Sequence, residues 1–289
     1  MFWPHDSDAL VVYCAHDSIY AEKVLHEFQQ QTGIRTAVRY DTEATKSLGL
    51  IELILRERAH PRCEVLWNNE LLGTLELASE RLLDPYQGPG AARIPAAFKD
   101  PQGRWTGFAA RLRVIIRNTA RSGTNGVIAK PLYGTTRTHY TALWHRMGAD
   151  WLARWDRTLP KVNGNAMVKD LVAAGTYGWG YTDTDDFFAA KDAGKPVAME
   201  PVRLDNGATI CVPNTVAILR GARHKVAAKK LVDFLLSEST ELALANSGSR
   251  QIPLGPVNEQ HLPVEVRELK VWAAKGYQLQ QLEIGRAHV

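Results

Sequence analysis

The first seventy positions change hydrophobic period several times, and each change marks an element. Residues 11–13 are a short apolar run, which reads as a buried strand. Ser18 is then a candidate cap for a helix that carries Ala21, Val24, Leu25 and Phe28 on one face and stops at Gly33. Residues 34–40 are β-branched enough for a second strand. Residues 45–58 return to helical spacing with Leu48, Ile51, Ile54 and Leu55, and 63–67 form a third strand. This β-α-β-α-β alternation predicts a parallel sheet with helices on both faces, so the fold class is α/β. In such sheets ligands bind beyond the carboxyl ends of the strands. That rule lines His16–Asp17, Asp41–Thr42 and Asn68–Asn69–Glu70 along one rim.

Further on, 107–117 is one long strand-like stretch, long enough to connect two lobes. A loop at 133–136 leads into a helix over 137–147, and a second helix covers 166–174. A strand over 177–181 runs into Thr182–Asp183–Thr184–Asp185–Asp186, with a helix expected from Phe187. Residues 209–219 form a returning strand, and 225–236 an amphipathic helix with Ala228, Leu231, Val232 and Leu235 on one face.

Composition narrows the function classes. With 289 residues, 45% hydrophobic and 23% charged, the chain is long enough for about two domains. The net charge of +4 comes from scattered Lys and Arg, so nucleic acid is not implied. No run approaches a membrane span. The three cysteines, Cys14, Cys63 and Cys211, are odd in number and far apart, and are expected as small buried hydrophobes. Residues 1–6 lack the charged and apolar regions of a signal peptide. Residues 283–289 back-translate to a common sequencing-adapter read, so the true C-terminus is expected elsewhere and His288 carries no chemistry.

The sharpest chemical feature is Asp183, Asp185 and Asp186. Carboxylates this close repel unless a metal, an Arg or a ligand amine sits among them; the bland alternative is a solvated loop with one aspartate capping the next helix. Gly134–Thr135–Thr136 before a helix is a candidate oxyanion cradle, or simply a cap. Arg111 and Arg113 share one strand face and can clamp an anion or form a salt bridge. His16, Glu70, Trp67, Tyr133, Trp179 and Tyr181 sit near strand ends, as cleft or core residues. Gly-x-Ser-x-Gly, Walker A, His-Glu-x-x-His, Cys-x-x-Cys and the dinucleotide fingerprint are all missing.

The strings Val11–Val12–Tyr13–Cys14–Ala15–His16–Asp17, FQQQTG at 28–33, Val65–Leu66–Trp67–Asn68–Asn69–Glu70, Val212–Pro213–Asn214–Thr215–Val216–Ala217 and AAKKLVDFLL at 227–236 resemble the type II periplasmic solute-binding proteins of ABC importers, and within them the ferric-ion-binding branch. The resemblance implies two α/β lobes joined by two hinge strands. The expected division is 1–109 with 224–289 for lobe 1 and 110–223 for lobe 2. It implies a metal site at His16, Glu70, Asp185 and Asp186, where the last two replace the adjacent tyrosines of that branch and Tyr181 is a phenol four positions early. Carboxylates are hard ligands that also suit Mg, Ca or Mn. An anion or ligand side would comprise Arg111, less so Arg113, with Gly134, Thr135, Thr136, Asn69, Asp183 and Tyr181. The implied ligand is Fe3+ or another hard ion with carbonate or a similar anion, and no catalytic cofactor is expected. The implied partner is an ABC permease of the cytoplasmic membrane, for a monomeric periplasmic or extracellular protein. The alternative is a small anionic organic solute such as a sugar phosphate, phosphonate or carboxylate. A third reading is an enzyme or effector-binding regulator on the same fold, with Cys14 beside His16 as the one candidate nucleophile.

Overall fold

The computed structural model describes residues 8–41, 48–132, 134–277, 279 and 282. The expectations for 1–6, Thr42, the start of the second helix, Tyr133 and 283–289 lie outside the described residues. In chain order the elements are β1 (Leu10–Cys14), α1 (Ser18–Thr32), β2 (Thr36–Tyr40), α2 (Leu48–Arg56), β3 (Val65–Asn68), α3 (Leu72–Ser79), β4 (Leu83–Asp84) and α4 (Pro89–Arg93). There follow β5 (Thr106–Asn118), β6 (Gly126–Ala129), α5 (Gly134–Met147), α6 (Ala149–Asp156), β7 (Lys161–Val162), α7 (Asn165–Ala173), β8 (Trp179–Asp183) and α8 (Thr184–Asp192). The chain closes with β9 (Val197–Pro201), β10 (Cys211–Leu219), α9 (Lys225–Leu235), α10 (Glu238–Ala245) and α11 (Val264–Ala273). Among the described residues no helix is long and apolar enough to cross a membrane.

The chain divides into two compact units. The first holds the residues up to Phe108, then Asn214–Ala243 and Leu254–Pro256. Its sheet runs β2-β1-β3-β10, with β1 parallel to both β2 and β3, and β10 antiparallel to β3 and to the short β4. α1 buries the predicted stripe Ala21, Val24, Leu25 and Phe28, and Phe28 meets Phe234 of α9 edge-on at 5.4 Å. Val24, Leu25 and Phe28 each contribute about 1.5–3 kcal/mol. Gly33 ends α1 at φ 69, in the left-handed region that glycine tolerates. The cap position is Asp17, not Ser18, and its side chain makes no capping bond.

Glu64, at the start of β3, is buried and ties this unit together. Its carboxylate accepts from the Val11 amide at 3.0 Å, from the Arg223 and His224 amides at 2.7 and 2.8 Å ahead of α9, and from His224 Nδ1 at 2.9 Å. Burial pushes the Glu64 carboxyl up, but these donors outweigh it and hold it below its ordinary value. A Glu64→Ala variant is expected to lose ~3 kcal/mol in urea unfolding, because three backbone donors lose their acceptor. A folded-state pKa below the unfolded one means that the contribution is present above the unfolded value. It disappears as pH falls through the folded one, so the gap between wild type and variant should close on acidification.

The second unit comprises Ala109–Pro213, Leu244–Pro253 and the residues from Val257 on. β5 lies between β8 and β9, antiparallel to both, and β6 lies between β8 and β7, parallel to both. The expected division placed all of 224–289 in the first lobe. Residues 244–253 and those from 257 on instead group with the second unit, because Ile252 bridges Ala110 and the Thr209 amide and carbonyl bond Lys275 and Tyr277, while 214–223, expected in lobe 2, group with the first. β5 and β10 each pass from one unit to the other, as the long 107–117 stretch suggested. Ala109, where β5 changes unit, has φ 41, a conformation unfavourable for a residue with a Cβ.

Candidate functional site

The first unit presents His16, Asn69 and Glu70 just past the carboxyl ends of β1 and β3, neighbours in the parallel sheet. All three are buried. The His16 ring stacks on Trp67, with centroids 5.2 Å apart and planes 11° from parallel. Glu70 serves the start of α3. Its Oε2 accepts from the Leu72 amide at 2.6 Å, and its Oε1 from the Gly73 amide at 2.7 Å and Asn68 Nδ2 at 3.1 Å. A carboxylate has about four acceptor positions. Three are thus engaged, two by the first amides of α3 and one by the Asn68 side chain at the end of β3, a structural duty that the sequence did not reveal.

In the second unit, the antiparallel register of β5 and β8 sets Arg113 opposite Asp183. Arg113 is fully buried, and its Nη1 lies 2.8 Å from Asp183 Oδ1. Arg111, two positions along the same strand face, has its Nε 3.5 Å from Asp183 Oδ2 and 3.9 Å from Asp185 Oδ2. Burial pushes the Asp183 carboxyl up, while Arg113 and Arg111 pull it down further, so it stays below the usual carboxylate range. Arg113, expected as a possible anion clamp, therefore serves as counter-ion to the chain's own aspartate.

Asp183 is the last residue of β8, and α8 begins at Thr184 rather than near Phe187. Asp185 and Asp186 thus sit in the first turn of α8, where the helix dipole favours negative charge. Both are half-buried, and Asp186 Oδ2 accepts from the Thr182 hydroxyl at 2.7 Å. Ligand atoms of Asp183, Asp185 and Asp186 lie within 4.8 Å of one another, the one acidic or metal-ligating group of this kind among the described residues. Asp183 stands at the capping position, yet its side chain makes no capping bond, because its oxygens are taken by Arg113, Thr135 and Asn165.

α5 begins at Gly134, so Thr135 and Thr136 belong to its first turn and not to a loop before it. Gly134 has φ 61, which a Cβ would strain. Both threonines are buried and meet Asn165, the first residue of α7. Sequence reasoning missed Asn165. The one signal was its place behind Gly164 at a helix start, where an Asn reads as an ordinary cap.

Tyr181 does not join this network. It packs edge-on against Trp179 at 5.4 Å, His139 at 5.1 Å and Trp155 at 5.7 Å, and burial raises its phenol above the ordinary value. It is held as a neutral phenol. The three cysteines are free and buried as expected, and burial pushes the Cys14 thiol well up, which removes the thiolate that a nucleophile needs.

The family model of the bacterial extracellular solute-binding proteins matches residues 97–270. Iron-bound HitA from Pseudomonas aeruginosa superposes with a TM-score of 0.75 at 21% identity, over 93% of this chain and 99% of that one. The apo ferric ion-binding protein A of Pasteurella haemolytica gives 0.81 at 16% identity, over 95% and 94%. The periplasmic binding protein AfuA of Actinobacillus pleuropneumoniae, with fructose-6-phosphate bound, gives 0.71 at 19% identity, over 92% and 98%. These likenesses establish the α/β fold of the two-lobe periplasmic binding proteins, and the family match bears out the resemblance read from the sequence. The chain belongs to the bacterial extracellular solute-binding proteins.

Proposed function

We propose that this protein captures a hard metal ion, ferric iron in the first place, and delivers it to an ABC permease. The observation that carries this reading is the charge of the second-unit cluster. Three carboxylates, Asp183, Asp185 and Asp186, face two guanidiniums, and the buried Asp183 is held by both of the latter. The half-buried Asp185 and Asp186, in the first turn of α8, are the carboxylates we assign to the cation. Hard carboxylate oxygens suit Fe3+, Mn2+ and Ca2+ alike. Tyr181 packs among Trp179, His139 and Trp155 and stands apart from the carboxylates, so without a tyrosine ligand affinity should be weaker and less selective for ferric iron than a tyrosine pair would give.

A small anionic organic solute is the second reading. It is favoured by the two buried guanidiniums, of which Arg113 meets Thr135 in the first turn of α5, and by the fold shared with a sugar-phosphate-bound protein. Thermal unfolding of metal-stripped protein separates the two. A ligand at ~100 times its Kd stabilises by about 2.7 kcal/mol. A shift with ferric citrate, Mn2+ or Ca2+ supports metal capture. A shift with sugar phosphates or phosphonates alone replaces it with the organic reading.

A further inference from the structure

At the opposite end of β3 from His16 and Glu70, the first unit carries an open depression of about 240 Å³, solvent side included. Ile54 from the last turn of α2, Cys63 just ahead of β3 and Leu219 at the end of β10 are buried and form its floor. The half-buried Leu82 stands at its side. Cys63 Sγ donates to the Val65 carbonyl at 3.3 Å and burial pushes the thiol well up, so the sulfur belongs to the apolar floor. Three exposed guanidiniums, Arg58, Arg62 and Arg220, line the same depression. Arg58 has no ion pair among the described residues. Arg62 Nε stands 4.0 Å from Glu57 Oε1, while Glu57 Oε2 accepts the Tyr13 hydroxyl at 2.9 Å. Arg220 Nε is 3.9 Å from Asp84 Oδ1, and Lys225 reaches the same carboxylate at 3.4 Å. Two carboxylates thus meet four cations, and the positive surplus surrounds an apolar floor.

We infer that this depression is a second ligand site, for a small organic carboxylate with a short apolar tail. The guanidinium fork offers two parallel N–H donors that match a carboxylate, and a cationic head group is repelled. The tail displaces water from Ile54, Leu82 and Leu219, which is worth up to about fourfold in affinity for each methylene buried. Neither half suffices alone. Exposed guanidiniums hold a bare anion weakly and are screened by salt, and the apolar floor has no preference for charge. Together they select a ligand that is both negative and apolar. The site is independent of what the Asp183–Asp186 cluster binds, because all of its residues belong to the first unit.

The test follows the methyl resonances of Ile54, Leu82 and Leu219 in methyl-labelled protein during titration with hexanoate, butanoate, acetate and hexylamine. Hexanoate should shift all three, with a Kd of about 1 mM for so small a ligand. Butanoate, two methylenes shorter, should bind roughly tenfold more weakly. Acetate and hexylamine should leave the methyls unmoved. An Arg58→Gln, Arg62→Gln, Arg220→Gln triple variant should lose about tenfold in hexanoate affinity. It should fold as wild type does, because Arg62 and Arg220 are 73% and 59% exposed and Arg58 is exposed as well. Equal affinity for hexylamine and hexanoate would overturn the inference, since the arginines would then not select the ligand. Equal affinity for acetate and hexanoate would overturn it too, leaving a patch for any anion. A hexanoate-dependent rise in Tm with these methyls unmoved would put the ligand elsewhere. That outcome, or no methyl shift at roughly 10 mM, ten times the expected Kd, would sink the inference.

Discussion

An Arg113→Met variant is expected to lose about 3–5 kcal/mol of stability, the largest effect of any single substitution considered for this chain. The reason is what it leaves behind. Arg113 is fully buried on the inner part of β5, and its Nη1 bonds Asp183, Thr135 and Asn165 together. Without it, the buried carboxylate keeps the Thr135 and Asn165 donors, but the guanidinium left to balance its charge is Arg111, whose Nε is 3.5 Å away and shared with Asp185. The variant's remaining escape is to protonate Asp183, so its deficit should shrink at low pH, where that proton is freely available. Adding Asp183→Leu to Arg113→Met should recover part of the loss, because removing both members of a buried pair costs less than removing one. Urea unfolding of the two singles and the double gives the coupling energy directly. Additive losses would mean that the pair is not the unit that holds this network.

The second large effect is functional. An Asp185→Ala, Asp186→Ala double variant should lose Mn2+ or ferric-ion affinity by about 100-fold, ~2.8 kcal/mol, in a metal titration. It should unfold close to the wild-type Tm when metal-free. Two opposed terms explain the small stability change. Acidic groups in the first turn of α8 each contribute roughly 0.3–1 kcal/mol through the helix dipole, while their repulsion of Asp183 and of each other costs a similar amount. Unchanged metal affinity in the double variant would sink the metal reading and leave the carboxylates with a structural role.

What the sequence made legible was whatever depends on neighbours along the chain. The periodic stripe of α1, the αL stop at Gly33 and the β1-α1-β2 order follow from local pattern, and the structure has them. The short α3 and α4 were missed because eight and five residues are too few for a helical period to show. The start of α8 was misplaced by about one turn because Thr184, Asp185 and Asp186 read as loop polarity rather than as a helix's first turn. The candidate site was half legible. Arg111, Arg113 and the aspartates were flagged as charged groups in need of partners, but that they partner one another depends on the β5·β8 register, which nothing local encodes. Glu64, Glu70 and Asn165 carry out their work through backbone amides and side chains that only the folded chain brings near. A lone Glu or Asn in a sequence gives no hint of that.

The position of β10 also has a consequence for synthesis. The first unit's sheet holds β3 against β10 and fixes the Thr74 hydroxyl on that of Thr215 at 2.7 Å, across 141 residues of chain. A ribosome adding about 5–20 residues per second needs roughly 7–28 s to cover that distance. Through that interval β3 has an open edge and the half-built sheet is a template for pairing with another chain. A nascent chain stalled before Asn214 should therefore be protease-sensitive throughout its first hundred residues. One extended past α9, with Arg223, His224 and Phe234 brought onto this unit, should become resistant there before α11 has been made.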